Sequence, residues 1–226
     1  MNVPIVVYTH TDMVDVWDMF FSQLKKYLPN NKVYVVVDKE HSKLSQYVQL
    51  TYDDSKPYTE RWKEVLPQIT EETILFLHED MILFSEVKLD YIERYYDLVN
   101  SGQVGSIKLI NTITNKSSSD IDNTLVESSF SIQPTLINRK DFVSLLNSVP
   151  SLNIWDFEGA VESITHHYMV RLGNEKQRGM YHCDSIIFPY IATAINKGKW
   201  NMGEYRDELD KLFGKYNINP FERGIV

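Results

Sequence analysis

Apolar residues fall in short runs set off by polar punctuation, and the spacing inside the runs is of two kinds. Val3 to Tyr8 (Val-Pro-Ile-Val-Val-Tyr) is rich in β-branched residues and predicts a first strand, closed by the polar loop Thr9-His10-Thr11-Asp12. Apolar positions then recur every fourth residue at Val16, Phe20, Leu24 and Leu28, predicting a helix capped by Thr11 or Asp12 and stopped at Pro29-Asn30-Asn31. A second strand, Lys32 to Val37, ends in Asp38. Strand, helix and strand in this order predict parallel pairing through a right-handed crossover.

The same reading carries on along the chain. Tyr47 to Tyr52 predicts a third strand, followed by the polar cluster Asp53-Asp54-Ser55-Lys56-Pro57 and a helix from Tyr58 to Ile69. Thr73 to Leu77 are consecutive non-polar or β-branched residues, the pattern of a strand buried on both faces. Leu89, Ile92 and Tyr96 mark a covering helix over Val87 to Asn100, punctuated by Gly102. Beyond it the expectations are a strand over Val104 to Ile110, a polar loop from Asn115 to Asp120, a strand over Ser129 to Leu136 and a helix from Arg139 to Val149. A helix from Phe157 to Val170, an apolar run at Ile186 to Ile191 and a charged helix from Glu204 to Tyr216 with a short tail complete the list. Together they predict a single α/β domain over residues 1–226, with a mainly parallel central sheet flanked by helices.

Composition narrows the partners. The chain has 226 residues, enough to bury a sizeable core, and its net charge of −8 argues against an extended nucleic-acid surface. A single ligand anion bound through a metal is compatible with that charge. Cys183 stands alone, which excludes an internal disulfide and favours a reducing compartment. With no signal-peptide pattern and no apolar stretch long enough to span a bilayer, a cytoplasmic location is expected.

The most informative stretch is Thr73-Ile-Leu-Phe-Leu-His-Glu-Asp-Met-Ile-Leu-Phe84, where two apolar runs enclose His78-Glu79-Asp80. Open α/β sheets place ligands at the carboxyl ends of their strands, where this acidic pair falls. Adjacent carboxylates beside apolar residues repel and lose hydration unless a cation offsets both costs. Asp53-Asp54 competes as a metal site but does not finish a buried strand. A second informative segment, Leu152-Asn153-Ile154-Trp155-Asp156-Phe157-Glu158-Gly159, sets aromatic rings beside carboxylates, a combination suited to sugar faces and hydroxyls. His166-His167 are adjacent and form no two-histidine metal face on a helix. There is no GxxxxGK[ST] and no GxGxxG, which weakens P-loop and dinucleotide-binding readings.

A buried strand running into a short acidic motif, followed by more apolar residues, resembles the DxD region of GT-A glycosyltransferases. Here it reads His78-Glu79-Asp80, without the first carboxylate of a strict DxD. Phe130-Ser-Ile-Gln-Pro134 and Trp155-Asp-Phe-Glu158 resemble parts of small members, virus-encoded ones included. The resemblance implies a nucleotide-diphospho-sugar donor, expected to be UDP-linked, a glycan or other hydroxyl acceptor, and Mn²⁺ or Mg²⁺. It implies Asp80 as a metal ligand, with His182 as a late ligand, and Glu79 on the nucleotide side. Thr9, His10 and Asp38 are implied near base and ribose, Arg61 at a phosphate or base edge, and Gln133 and Trp155 on the sugar and acceptor side. Glu158 or Asp156 is the candidate base of an inverting transfer, although Asp156 as a helix cap with Glu158 in the first turn explains both residues without catalysis. Lys197 or Lys199 is a candidate to neutralise a departing diphosphate. Two other readings stay open: a nucleotidyltransferase, against which the glycine-free loop Thr9 to Asp12 counts, and a non-catalytic sugar-binding module on an altered GT-A scaffold.

Overall fold

Strand β1 (Ile5–Tyr8) lies between β2 (Val33–Val37) and β4 (Thr73–His78) and is parallel to both in the computed structural model, which describes residues 3–113, 116–127, 130–161 and 167–226. The edge strand β3 (Val48–Thr51) continues the parallel set beside β2. Ile5, Val6 and Val7 are fully enclosed, as are Val35, Val36 and Val37. Each such side chain contributes roughly 1.5–3 kcal/mol on burial, so charge is confined to the strand ends. Helix α1 (Val14–Tyr27) covers one face with Val16, Trp17, Phe20, Phe21 and Leu24. Helices α2 (Tyr58–Val65), α3 (Leu89–Asn100) and α4 (Arg139–Asn147) pack on the sheet, and α2 also packs on α4.

Beyond β4 the sheet becomes mixed. Its order across the described residues is β3-β2-β1-β4-β8-β5-β9-β7-β6, with β5 (Ser106–Lys108), β6 (Lys116–Ser118), β7 (Thr124–Glu127), β8 (Thr135–Asn138) and β9 (His167–Val170). Only β8 and β7 run against the common direction. Three short pieces follow: the hairpin β10 (Gln177–Arg178) and β11 (His182–Cys183), the hairpin β12 (Ile195–Asn196) and β13 (Lys199–Trp200), and helix α6 (Arg206–Tyr216). Between β4 and β10 lies α5 (Ile154–Val161), and α7 (Pro220–Arg223) is the last helix.

Several boundaries differ from the sequence reading. The helix expected over Phe157 to Val170 is instead α5, already under way at Ile154, and strand β9; residues 162–166 with His166 lie outside the described residues. Helical spacing cannot tell a short apolar helix from a strand when the run is cut by pairing with distant β5 and β7. The polar loop expected from Asn115 contains β6, whose three residues are all exposed and are held only by antiparallel pairing with β7. Strand β8 is displaced to Thr135–Asn138, because its register follows from β4 on one side and β5 on the other.

The chain passes from β1 outward to β2 and β3 and then returns to β4 on the other side of β1. That reversal opens a crevice between the carboxyl ends of β1 and β4, where ligands bind in sheets of this kind. Tyr8 and His78, the last residues of the two strands, are direct neighbours in register.

Candidate functional site

A cleft of about 540 Å³ opens at this crevice. Tyr8, Thr9, His78 and Glu79 form its floor; Pro57, Tyr58, Arg61, Asn153 and Ile154 contribute one part of the wall, and His10, Asp12, Met13, Gly198 and Arg223 another. The floor is an aromatic stack. Tyr8 lies parallel to Tyr52 at 5.2 Å and stacks on His78 at 5.2 Å, while the Tyr58 hydroxyl is 3.3 Å from His78 Nε2. Enclosure by these rings drives the His78 pKa down to about 3, so its imidazole is neutral across the physiological range.

Glu79 is 7 % exposed and faces the cleft. The Thr9 hydroxyl accepts from the indole of buried Trp17 at 2.7 Å and hydrogen-bonds the Glu79 carboxylate, so α1 orients the acid through one shared hydroxyl. Burial, and then the charge of Asp80, raise the Glu79 pKa well above the ordinary carboxylate range. Burial raises Asp80 as well, against a hydrogen bond from the Ile195 amide. Among the described residues no lysine or arginine pairs with either acid, and Arg223 acts on Glu79 only through its field. The Asp80 side chain does not line the cleft; its backbone carbonyl takes the Ala194 amide at 3.3 Å. The two carboxylates therefore diverge after the strand, as successive side chains do.

Charged groups on the walls tie loops together. Asp38, at the end of β2, accepts the Thr11 amide and hydroxyl, both at 2.7 Å. Burial works to raise its pKa, but these bonds outweigh it and hold Asp38 below the ordinary range. Arg61 donates to the Lys56 carbonyl at 2.6 Å and to the Tyr8 hydroxyl at 3.1 Å, and pairs with Asp54 at 2.9 Å. His10 Nε2 stands 3.3 Å from Asp54 and 3.7 Å from Asp38, joining the loop after β1 to the loop before α2. Asp53 is spent on Ser55, so the Asp53-Asp54 pair serves loop geometry.

Thus Thr9, His10, Arg61 and Glu79 meet in one cleft, and Asp38 supports it from behind. The remaining candidates lie elsewhere or at the rim. Asn153, which lines the cleft, holds the Asp156 carboxylate at 2.6 Å and, through its Oδ1, the Asp156 amide. Trp155, next along the chain from cleft-lining Ile154, is 75 % exposed. Glu158 turns inward to accept the Ile132 amide, and burial raises its pKa. The Gln133 side chain accepts the Tyr190 hydroxyl at 2.6 Å. His182 stacks on Tyr205, 3.1 Å from its hydroxyl, and lies 3.5 Å from Glu204. Sequence reading missed Tyr8, Tyr58 and Arg223. Tyr8 and Tyr58 end or begin regular elements beside the crevice, a signal that was present; Arg223 carries none, since its partner Asp15 is 208 residues away.

No group of three or more His, Cys, Asp and Glu among the described residues is placed to hold a metal. Of the two acids only Glu79 faces the cleft, and one carboxylate there fits a cation that takes most of its oxygens from a diphosphate, the usual arrangement for Mg²⁺, and does not fit a closed protein cage.

No family profile matches the sequence, and no curated protein sequence matches it either. Solved structures do. UDP-glucose pyrophosphorylase, solved with UDP-glucose, superposes with a TM-score of 0.57 over 96 % of this chain and 99 % of its own, at 8 % identity. The fold is GT-A-like. A nucleotidyl transferase from Methanothermobacter thermautotroptrophicus aligns at TM-score 0.44 and 12 % identity over 76 % of this chain and 88 % of its own. The glycosyltransferase GlyE of Streptococcus pneumoniae TIGR4 aligns at TM-score 0.44 and 12 % identity over 75 % of this chain and 45 % of its own, so the present chain spans less than half of GlyE. Within the GT-A-like sheet, the cleft occupies the switch point between β1 and β4. No helix of the described residues is long and apolar enough to cross a membrane.

Proposed function

We propose that this chain transfers a sugar from a nucleotide diphosphosugar, UDP-linked, to an acceptor hydroxyl, with Mn²⁺ or Mg²⁺ as cofactor. One observation carries the reading: a buried carboxylate, Glu79, faces the switch-point cleft beside Asp80, and among the described residues no cationic side chain pairs with either. A divalent ion bound there would offset the diphosphate charge and stabilise the leaving group. Glu79 presents the acid to the cleft, and Asp80 adds charge from the neighbouring position. Tyr8, Tyr58 and neutral His78 offer an apolar floor for a base or ribose, and His10 with Arg61 fixes the loops around it.

The acceptor side is assigned to the start of α5. In this reading Asp156, which is hydrogen-bonded to cleft-lining Asn153, takes the acceptor proton, and exposed Trp155 covers an apolar sugar face. Glu158 holds the Ile132 amide and so shapes the segment bearing Gln133. Direct displacement with inversion follows from a single base acting on the acceptor.

The test is a panel of UDP-, GDP- and dTDP-sugars incubated with the chain, with and without Mn²⁺, and followed for transfer and for hydrolysis. Metal-dependent release of UDP supports the reading. Pyrophosphate exchange from UTP and a sugar 1-phosphate would replace it with a nucleotidyltransferase. Metal-dependent nucleotide binding without turnover would replace it with a binding module.

A further inference from the structure

Arg223 lines the cleft from a segment that ordinary packing holds weakly. Helix α7 has four residues, and Phe221 within it is 78 % exposed. Asn219 caps the helix by accepting the Phe221 amide. At Gly224 the backbone takes φ +85°, a conformation glycine adopts without strain, and turns the chain into pairing with β13. There the Trp200 amide donates to the Gly224 carbonyl and the Val226 amide to the Trp200 carbonyl, both at 2.9 Å. Trp200 itself is fully buried against Phe213.

The Arg223 guanidinium gathers three separate pieces of chain. It grips Asp15 in the first turn of α1 through Nε at 2.9 Å and through Nη2, donates from Nη2 to the Asp12 carbonyl at 3.0 Å, and donates from Nη1 to the Gly198 carbonyl at 3.2 Å. Asp12 and Gly198 both line the cleft. Asp15 already meets the charge of Arg223, so the arginine acts by holding its neighbours in place. The planar fork of a guanidinium suits this work, satisfying a carboxylate and two carbonyls at once.

We propose that Arg223 is a positioning residue: through Asp15 and the carbonyls of Asp12 and Gly198 it fastens the 219–226 segment, the turn at Gly198 and the loop after β1 into one wall, against which the nucleotide diphosphate binds. The proposal rests on the nucleotide-sugar reading and names the residue that builds this part of its site. Site occupancy and docking of the segment are then linked, each favouring the other.

The experiment uses UDP with Mn²⁺ as the probe and the full chain throughout. Calorimetry would compare wild type, Asp15→Arg, Arg223→Asp and the charge-reversed double variant. Each single variant should weaken UDP by about tenfold, and the double variant should recover to within about threefold of wild type, because a contact pair couples non-additively. In parallel, amide exchange should slow at Val226 and Trp200 when UDP binds to wild type. Near-UV circular dichroism of the aromatic side chains checks that each variant is folded. Single variants that bind UDP like wild type overturn the proposal, as does a double variant no better than the weaker single one, which would mean that Arg223 touches the phosphates directly. Failure of wild type to bind UDP overturns the nucleotide-sugar reading, and this proposal with it; failure of the variants alone leaves that reading standing.

Discussion

Glu79 with Asp80 at the end of β4, and Glu127 with Lys108 between β7 and β5, are two places where one sheet buries carboxylates. At β5 and β7 the charge is answered within the protein. Lys108 donates to Glu127 and to the Ser131 hydroxyl at 2.9 Å, and the Thr112 hydroxyl donates to the other Glu127 oxygen at 2.6 Å. Burial lowers the Lys108 pKa, and the field and hydrogen bond of Glu127 work the other way. At β4 no lysine or arginine among the described residues pairs with the two acids, and their pKa values rise. A buried ion pair with its remaining atoms satisfied explains itself as structure; buried carboxylates without a cation call for a ligand that brings one. The contrast marks the end of β4 as the candidate site and the Lys108-Glu127 pair as scaffold.

The largest expected effect tests the scaffold half. Lys108→Met would strand Glu127, and urea denaturation should show a loss of about 3–5 kcal/mol, largely recovered in Lys108→Met/Glu127→Gln. A single-variant loss below about 1 kcal/mol would erase the distinction. At the other half, Glu79→Gln should cut metal-dependent turnover of a nucleotide sugar by a hundredfold or more, on the order of an active-site charge deletion, without lowering the melting temperature at neutral pH. A variant that unfolds instead would make Glu79 part of the scaffold.

The pH dependence sharpens the same point. A raised carboxyl pKa means that the folded protein keeps protons which the unfolded chain has already released. Stability should therefore fall as pH climbs from the ordinary carboxylate range toward and past neutrality. Glu79→Gln should flatten that slope, and Mn²⁺ should offset it in wild type; equilibrium unfolding at a series of pH values reads both. A wild-type slope of the opposite sign would sink the assignment. The smallest effect belongs to the rim, outside both pairs. Trp155→Ala should raise the KM for a sugar acceptor by about three- to tenfold and leave that for the nucleotide sugar unchanged, consistent with the loss of one aromatic contact.

Much of the first half of the fold was legible because its signals are local. The run from Thr73 to Leu77 needs both faces covered, and the four-residue recurrence from Val16 to Leu28 needs a helix, whatever lies beyond. The second half was less legible because β6, β7 and β9 are short and are held by one another across gaps in sequence. Thr124 to Glu127 shows no alternation strong enough to announce a strand, and the helical spacing read from Phe157 onward runs into His167 to Val170, which form strand β9.

Sequence by itself determined that a strand without room for charge ends in His78-Glu79-Asp80, and that the loop after β1 is polar and free of glycine. Only the tertiary structure decided that Glu79 and not Asp80 opens into the cleft, that Asp38 is bound to Thr11, and that Arg61 and Arg223 are each matched to an aspartate. The physical reason is range. Burial and periodicity act between near neighbours along the chain, whereas the direction of a side chain after a strand, and the partner of a guanidinium, depend on which distant segments the folded sheet brings within hydrogen-bonding distance.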